Sequence, residues 1–358
     1  VSIVRIDTTG FRIPFRSALR TARAALSCRE GLLVHVLRDD GSEGVGEAAP
    51  LPPVPEGPVD RWTTAARSLF ERLRGPGTVP PSAGLSPALA AALAAAWDVA
   101  SADAEARLEG RTVADALGRR DGGPVPVNAL LGAVEPETLA VQAARAVRAG
   151  FSTVKLKVGL DRDLDQRRLH AVRAAIGPEP RLRVDANGAW TVDRAVRTLD
   201  AWQPFALELV EQPVPAHDLV GLAEVRAAVA VQVAADESIA GVEAARSVID
   251  AGAADVLVIK PMVVGGLTPA LEIAHLARAA GLGVIVTTTI DTGVGTAAAL
   301  HLATVVGGEL AHGLATASLL QSDLLQEPLP IADGRMSLPS APGLGITLDS
   351  GALSRYRV

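Results

Sequence analysis

From Gly123 onward the chain repeats one pattern, a short run rich in Val, Ile and Leu followed by roughly 10 to 15 residues of amphipathic sequence. The runs read VPVNAL, TVKLKV, LRVDAN, LELVEQ, VQVAADE, DVLVIK, GVIVTTT and a weaker ELAHGLAT. Between them lie helix-forming stretches such as PETLAVQAARAVRAG, LDQRRLHAVRAAIG and LTPALEIAHLARAAG. Strands that alternate with helices predict parallel pairing through crossovers. A succession this long in about 200 residues predicts an α/β fold, a modified TIM barrel of (β/α)7β type, with the helix after the last strand short or missing.

The first third has a different texture. SIVRIDTTGFRIPF, GLLVHVLRDDG and EGVGEAAPL read as strands, with a turn at Asp39, Asp40 and Gly41, and predict a small antiparallel sheet. A Pro-rich stretch, Pro50 to Pro58, precedes two Ala- and Leu-rich helices, Val59 to Leu73 and Ser86 to Leu108. The expected organisation is an α+β capping domain over residues 1–123 and a barrel over 124–327. A C-terminal segment, 328–358, is expected to return to the capping domain.

Charged residues gather at the carboxyl ends of the barrel strands: Lys155 and Lys157, Asp185 with Asn187, Glu211, Asp236 with Glu237, and Lys260. Lys157, Asp185, Glu211, Asp236 and Lys260 follow one another in steps of 28, 26, 25 and 24 residues, each one βα unit. In a TIM barrel these ends converge on one mouth, where catalytic residues sit. One such residue alone reads as a solvated loop side chain, but five in register do not. Three carboxylates aimed at one space raise each other's pKa unless a cation lies among them. An all-oxygen set without Cys or His suits Mg²⁺ or Mn²⁺ better than zinc. A lysine packed near a metal and a second lysine is expected to titrate low enough to serve as a base.

Composition narrows the partners. Lys+Arg 34 against Asp+Glu 40 gives a net charge of −6, and without a basic stripe no nucleic-acid partner is expected. Cys28 is the only cysteine, so an intrachain disulfide is excluded. The uncharged stretch between Asp291 and Glu309 reads as a buried turn and helix, so no membrane partner is expected. The start, VSIVRIDTTGFRIPF, lacks a basic-then-apolar leader pattern, and a cytoplasmic location is the expectation. Neither G-x-G-x-x-G after a barrel strand, nor a P-loop, nor G-x-S-x-G occurs. His312 near the eighth run reads as a core histidine, Trp190 as packing beneath the site, and Gly265 and Gly266 as backbone that must approach closely.

KLK at 155–157, DANGAW at 185–190, EQP at 211–213, ADES at 235–238 and KPMVVGG at 260–266 together resemble the enolase superfamily, in its muconate-lactonizing-enzyme-like subgroup. Sites of that superfamily pair a Lys or His base with Mg²⁺ that stabilises an enediolate. The resemblance implies that Asp185, Glu211 and Asp236 hold Mg²⁺, with Mn²⁺ as a substitute, and that the partner is a small-molecule carboxylate. It implies Lys157 as the base on one face and Lys260 on the opposite face as proton donor or stabilising cation. Lys155, Asn187 and Glu237 are implied as supporting contacts, and a homo-oligomer is expected.

The subgroup includes o-succinylbenzoate synthases, dipeptide epimerases, N-acylamino acid racemases and muconate cycloisomerases, among which the shared residues do not choose. REGLLVHVL with GVGEAAPLPP resembles the synthases, and HGLATASLL lacks the Asp-x-Asp with which dipeptide epimerases meet a substrate ammonium. In TTTIDTGVG, Thr288 and Thr289 are candidate donors to a succinyl carboxylate, although Thr is also an ordinary strand residue. Arg29, with Arg20 and Arg23 nearby, is a candidate for binding a second carboxylate, solvated surface arginine being the alternative reading for each. The expectation is a metal-dependent lyase, an o-succinylbenzoate synthase of menaquinone biosynthesis, with N-succinylamino acid racemase or dipeptide epimerase activity as the alternative, and a muconate-type cycloisomerase or an inactive binding scaffold ranked after these.

Overall fold

β-Branched and aromatic alternation draws Ile3–Arg20 (β1), Ala25–Arg38 (β2) and Glu43–Ala48 (β3) into one antiparallel sheet, ordered β1-β2-β3. The computed structural model describes residues 3–20, 25–73, 84–119, 123–132, 134–159 and 161–358. The β1/β2 ladder slips between Pro14 and Leu19, where a proline without an N–H interrupts pairing. Beyond this slip the chain is still strand on both arms within the described residues.

Helices Val59–Leu73 (α1) and Pro87–Leu108 (α2) cover this sheet. The Ser86 hydroxyl accepts from Leu89 N and Pro87 occupies the first turn, so α2 starts where its sequence has a cap. The approach of β3 to α2 is a backbone contact. A Cβ at Gly46 would stand 2.0 Å from the Ala96 carbonyl oxygen, and one at Gly44 2.0 Å from that of Ala100. Buried Asp103 joins the layers by accepting from Val45 N at 3.0 Å and Leu344 N at 2.7 Å.

A capping box between Thr112 and Asp115 starts the short helix Val113–Ala116 (α3), which leads to Val125–Pro126 (β4) and the barrel. There the alternation runs Ala129–Leu131 (β5), Pro136–Arg148 (α4), Thr153–Lys157 (β6), Arg162–Ile176 (α5), Arg181–Asp185 (β7), Val192–Ala201 (α6), Leu207–Glu211 (β8) and Leu219–Ala228 (α7). It continues with Gln232–Ala235 (β9), Val242–Asp250 (α8), Val256–Ile259 (β10), Pro261–Val264 (α9), Leu267–Ala279 (α10), Gly283–Val286 (β11) and Gly293–Val306 (α11). Strands β5 to β11 form one seven-stranded parallel sheet in sequence order. Leu209, Ala234, Val256, Val258 and Ile285 fill a small apolar cluster of their own, apart from the main core.

The expected eighth strand is not a strand. Its residues close the curled sheet through two isolated bridges, His312 to Val127 at one edge and Gly313 to Thr287 at the other. His312 N donates to Pro126 O at 2.8 Å and Gly313 N to Val286 O at 2.9 Å. Gly313 lies directly against Thr287, whose Oγ1 would be 2.1 Å from any Cβ at that position, so the bridge requires glycine there. His312 is a core residue whose Nδ1 accepts from Val286 N at 3.0 Å, and burial pushes its pKa down to about 3.

After Pro328, Ile331–Ala332 (β12) and Arg335–Met336 (β13) pair with each other, and β13 also pairs with β4. Helix Ser350–Tyr356 (α12) then brings Arg357 into a bridge with Phe11 of β1. No helix of the described residues is long and apolar enough to cross a membrane.

Candidate active site

Parallel register sets the site. Lys157 pairs with Asp185 across β6 and β7, and Asp185 with Glu211 across β7 and β8. Asp236 follows β9 and Lys260 follows β10, so these side chains leave the sheet on one rim. All of them line one cavity of about 530 Å³, together with Lys155, Asn187 and Glu237.

The polar groups form one chain of contacts and a separate Lys260–Asp236 pair. Lys155 Nζ lies 2.6 Å from Glu211 Oε1 and 3.1 Å from Asp185 Oδ2. Lys157 Nζ donates to Asp185 Oδ2 at 3.1 Å and to Asn187 Oδ1 at 2.7 Å. Asn187 passes the chain on by donating to Glu237 Oε1 at 3.1 Å, and Lys260 Nζ donates to Asp236 Oδ2 at 2.6 Å. Asn187 takes a left-handed conformation, φ 46°, in which its own N–H reaches Asp185 Oδ1 at 3.0 Å.

Charge balance among these groups decides their titration. Burial pushes the Glu211 carboxyl up, and Asp185 and Asp236 push it further, to about 8, against the pull of Lys155 and Lys260. Burial also opposes ionisation of Asp185, but Lys155, Lys157 and Lys260 outweigh it and hold that carboxyl below its ordinary range. Burial and the neighbouring carboxylates act in opposite senses on Lys155 and Lys260. Burial pushes both down, yet Asp185, Glu211 and Asp236 lift Lys155 above its ordinary value, and Asp236, Glu237 and Glu211 lift Lys260. Contacts to carboxylates outweigh a more distant like charge.

Among the described residues no three Asp, Glu, His or Cys side chains are already gathered about one point, because each carboxylate of the row is turned to a lysine. The donor set nonetheless fits a hard divalent cation. It is all oxygen, comes from consecutive strands, is buried, and includes a carboxyl that stays protonated to about pH 8 without further positive charge.

One fully buried residue escaped the sequence reading. Gln212, at φ 40°, accepts from Asp236 N at 2.9 Å and Ser238 N at 3.2 Å and donates to Val214 O at 3.0 Å, so it ties the end of β8 to that of β9. Its only signal in the sequence was its place in EQP at 211–213, between Glu211 and Pro213. The opposite wall is made by Leu26, Pro50, Leu51, Pro52, Met262, Ile290 and the threonines 287, 288, 289 and 316. Thr288 Oγ1 and Thr316 Oγ1 share a 2.7 Å hydrogen bond, while Thr289 Oγ1 donates to Asp291 Oδ1 at 2.6 Å.

Arg29 does not line the cavity. It is 1% exposed, and its guanidinium donates to Ile290 O, Pro50 O, Ala49 O and Thr289 Oγ1, which corrects the expectation that it meets a substrate carboxylate. Arg23 and the side chain of Arg20 lie outside the described residues. Trp190 is buried and meets Trp202 edge to face at 5.7 Å. At Gly266, φ 132°, a Cβ would stand 2.5 Å from Asp98 Oδ2, the oxygen that accepts from Leu267 N to cap α10.

A closed parallel βα sheet with a ring of lysines and carboxylates on its carboxyl rim and an antiparallel cap defines a class of barrel enzymes. Residues 138–352 match the family described as enolase C-terminal domain-like, and the chain belongs to the enolase superfamily. It is 33% identical over 374 residues to muconate cycloisomerase 1 of Rhodococcus opacus, covering 99% of this chain and 98% of that one. It is 46% identical over 211 residues to the o-succinylbenzoate synthase of Thermobifida fusca, covering 57% of this chain and 63% of the relative. Among solved structures, the dipeptide epimerase of Enterococcus faecalis complexed with Mg and L-Leu-L-Tyr superposes with a TM-score of 0.89 at 28% identity, covering 97% of this chain and 100% of that chain.

Proposed function

We propose that the protein is an o-succinylbenzoate synthase, which removes water from 2-succinyl-6-hydroxy-2,4-cyclohexadiene-1-carboxylate in menaquinone biosynthesis. The observation that carries this reading is the wall facing the ring. Among the described residues, no charged side chain lines the cavity outside Lys155, Lys157, Asp185, Glu211, Asp236, Glu237 and Lys260. A dipeptide's ammonium would be buried there without a carboxylate partner, at a cost of several kcal/mol. The Thr288–Thr316 hydroxyl pair is neutral and can donate to the succinyl end.

Asp185, Glu211 and Asp236 are the residues that would hold Mg²⁺. When bound, the ion polarises the substrate carboxylate as a Lewis acid and stabilises the enediolate. Lys157 is the base: its side chain is 31% exposed toward the cavity against 14% for Lys155, and Asp185 and Asn187 fix its Nζ. Its Nζ takes the α-proton as the carbon–hydrogen bond breaks. The electron pair then forms the ring double bond as the carbon–oxygen bond breaks, and the proton on Lys157 leaves with hydroxide as water. Lys260, held by Asp236 on the other flank of the row, offsets the negative charge that develops. Lys155 and Asn187 keep the carboxylates and the base in place.

Lysines on both flanks also suit an N-succinylamino acid racemase or a dipeptide epimerase, and one experiment separates these readings. The protein with Mg²⁺ in deuterium oxide is given the cyclohexadiene carboxylate, N-succinylamino acids and dipeptides, and the masses are read. Enzyme-dependent loss of water from the first compound supports the synthase. Deuterium entering an amino acid derivative without any dehydration overturns it.

A further inference from the structure

We infer that Arg29 and Glu47, from two strands of the cap, latch the turn between β11 and α11, and that Arg29 thereby positions the cavity wall without touching substrate. The inference rests on the proposed function only in taking this cavity as the substrate site.

The turn 287–292 supplies Thr287, Thr288, Thr289 and Ile290 to the cavity. Ile290 sits at φ 64°, a left-handed conformation that β-branched side chains rarely adopt. Such a backbone persists only where its surroundings over-determine it. Those surroundings come from the cap. Arg29 Nε donates to the Ile290 carbonyl at 3.0 Å, and its terminal nitrogens bind Thr289 Oγ1 at 3.1 Å and the carbonyls of Ala49 and Pro50. One guanidinium therefore ties together two segments of the wall, the turn after β11 and the proline-rich stretch that begins at Pro50.

Glu47 secures the other end of the same turn. Its carboxylate accepts from Thr292 N at 3.0 Å, Thr292 Oγ1 at 2.6 Å and Gly295 N at 2.9 Å, and so caps the N-terminus of α11 from the other side of the interface. Between them Asp291 accepts from Thr289 N at 3.1 Å and lies 3.8 Å from the Arg29 guanidinium. Gly295 lets this carboxylate pack close, since a Cβ there would stand 2.7 Å from the Asp291 Cβ. Arg29, Glu47 and Asp291 are all nearly inaccessible, at 1%, 3% and 2% exposure, so water does not compete for these bonds. Docking of the cap and shaping of the wall are one event.

The test uses the full chain with Mg²⁺ and two variants, Arg29→Lys and Glu47→Gln. Amide hydrogen exchange is read by mass spectrometry over peptides spanning 287–296, with peptides from β7 and β8 as the internal reference. Steady-state kinetics are measured on the cyclohexadiene carboxylate. Arg29→Lys keeps the charge but loses the fork, and exchange in the turn should quicken about tenfold while the reference peptides stay unchanged. KM should rise about tenfold with kcat held within about threefold, the pattern of lost binding and intact chemistry. Unchanged exchange in the turn of a folded variant overturns the latch, and so does a fall in kcat at constant KM. If Arg29→Lys does not fold, Glu47→Gln decides the question by exchange at 292–295. If the wild type does not dehydrate the substrate, the proposed function fails, whereas the exchange result still judges the latch.

Discussion

Replacing Glu47 by Gln should reduce the fall in stability that the buried interface imposes between about pH 5 and about pH 8. Burial, reinforced by the charge of Asp291, pushes the Glu47 carboxyl from 4.5 up to about 7, although Thr292 and Gly295 donate to it. The native protein therefore keeps this proton over a range in which the unfolded chain has released it. The stabilisation is full below the unfolded-state value, declines as pH rises toward the folded value, and is flat above it. A displacement of about 2.5 pH units at about 1.4 kcal/mol each gives a loss of about 3 kcal/mol. The amide of the Glu47→Gln variant has no proton to lose in this range and retains an oxygen for Thr292 N. Asp291, also raised by burial, leaves a slope of the same sign in the variant. Urea unfolding followed by tryptophan fluorescence at both pH values measures the difference between wild type and variant. Parallel curves at the two pH values would refute the reasoning, as would a wild type that gains on the variant with rising pH.

Lys157→Ala should lower kcat for dehydration by about a thousandfold or more while leaving the unfolding transition in place, since a positioned base contributes on that scale. Chelation with excess EDTA should abolish turnover and added Mg²⁺ should restore it, and full activity in the chelator would remove the metal from the chemistry. Gly46→Ala should destabilise the protein by about 3 kcal/mol or more, read as a drop in Tm, because the new Cβ would meet backbone oxygen of Ala96 and not a side chain free to move.

Strand ends were legible because a βα barrel turns a one-dimensional spacing into a place: apolar runs mark the strands, and a charge closing each run must lie on the rim. The ring of Lys155, Lys157, Asp185, Glu211, Asp236 and Lys260 follows from that rule alone. Residues whose role depends on a partner far along the chain were not legible. Arg29 and Ile290 are 261 positions apart, and neither residue's neighbours indicate the other. The eighth run was legible only as a segment that closes the sheet, since its pairing is reduced to the two bridges at His312 and Gly313. Gly44 and Gly46 were visible as a motif, but the reason for them is the backbone of α2, which only packing discloses. Titration also needed the structure, because the order in which charges meet around Lys155 sets its direction.

The two halves of the site are held by different parts of the molecule, and this separates what they control. Lys157, Asp185 and Glu211 sit in strand register, and Gln212 locks the backbone of Asp236 from within the barrel. No residue of the cap bonds to that ring among the hydrogen bonds of Lys155, Lys157, Asn187 and Lys260. Much of the facing wall depends on the cap. Leu26 and Pro50 to Pro52 belong to it, and the turn carrying Thr288 to Ile290 is gripped by Arg29 and Glu47. A substitution in the cap therefore moves the wall against a fixed ring and acts on which carboxylate is bound. A substitution at a strand end moves the proton chemistry itself. The turn 287–292 is one place where the cap meets the site, through Arg29 and Glu47.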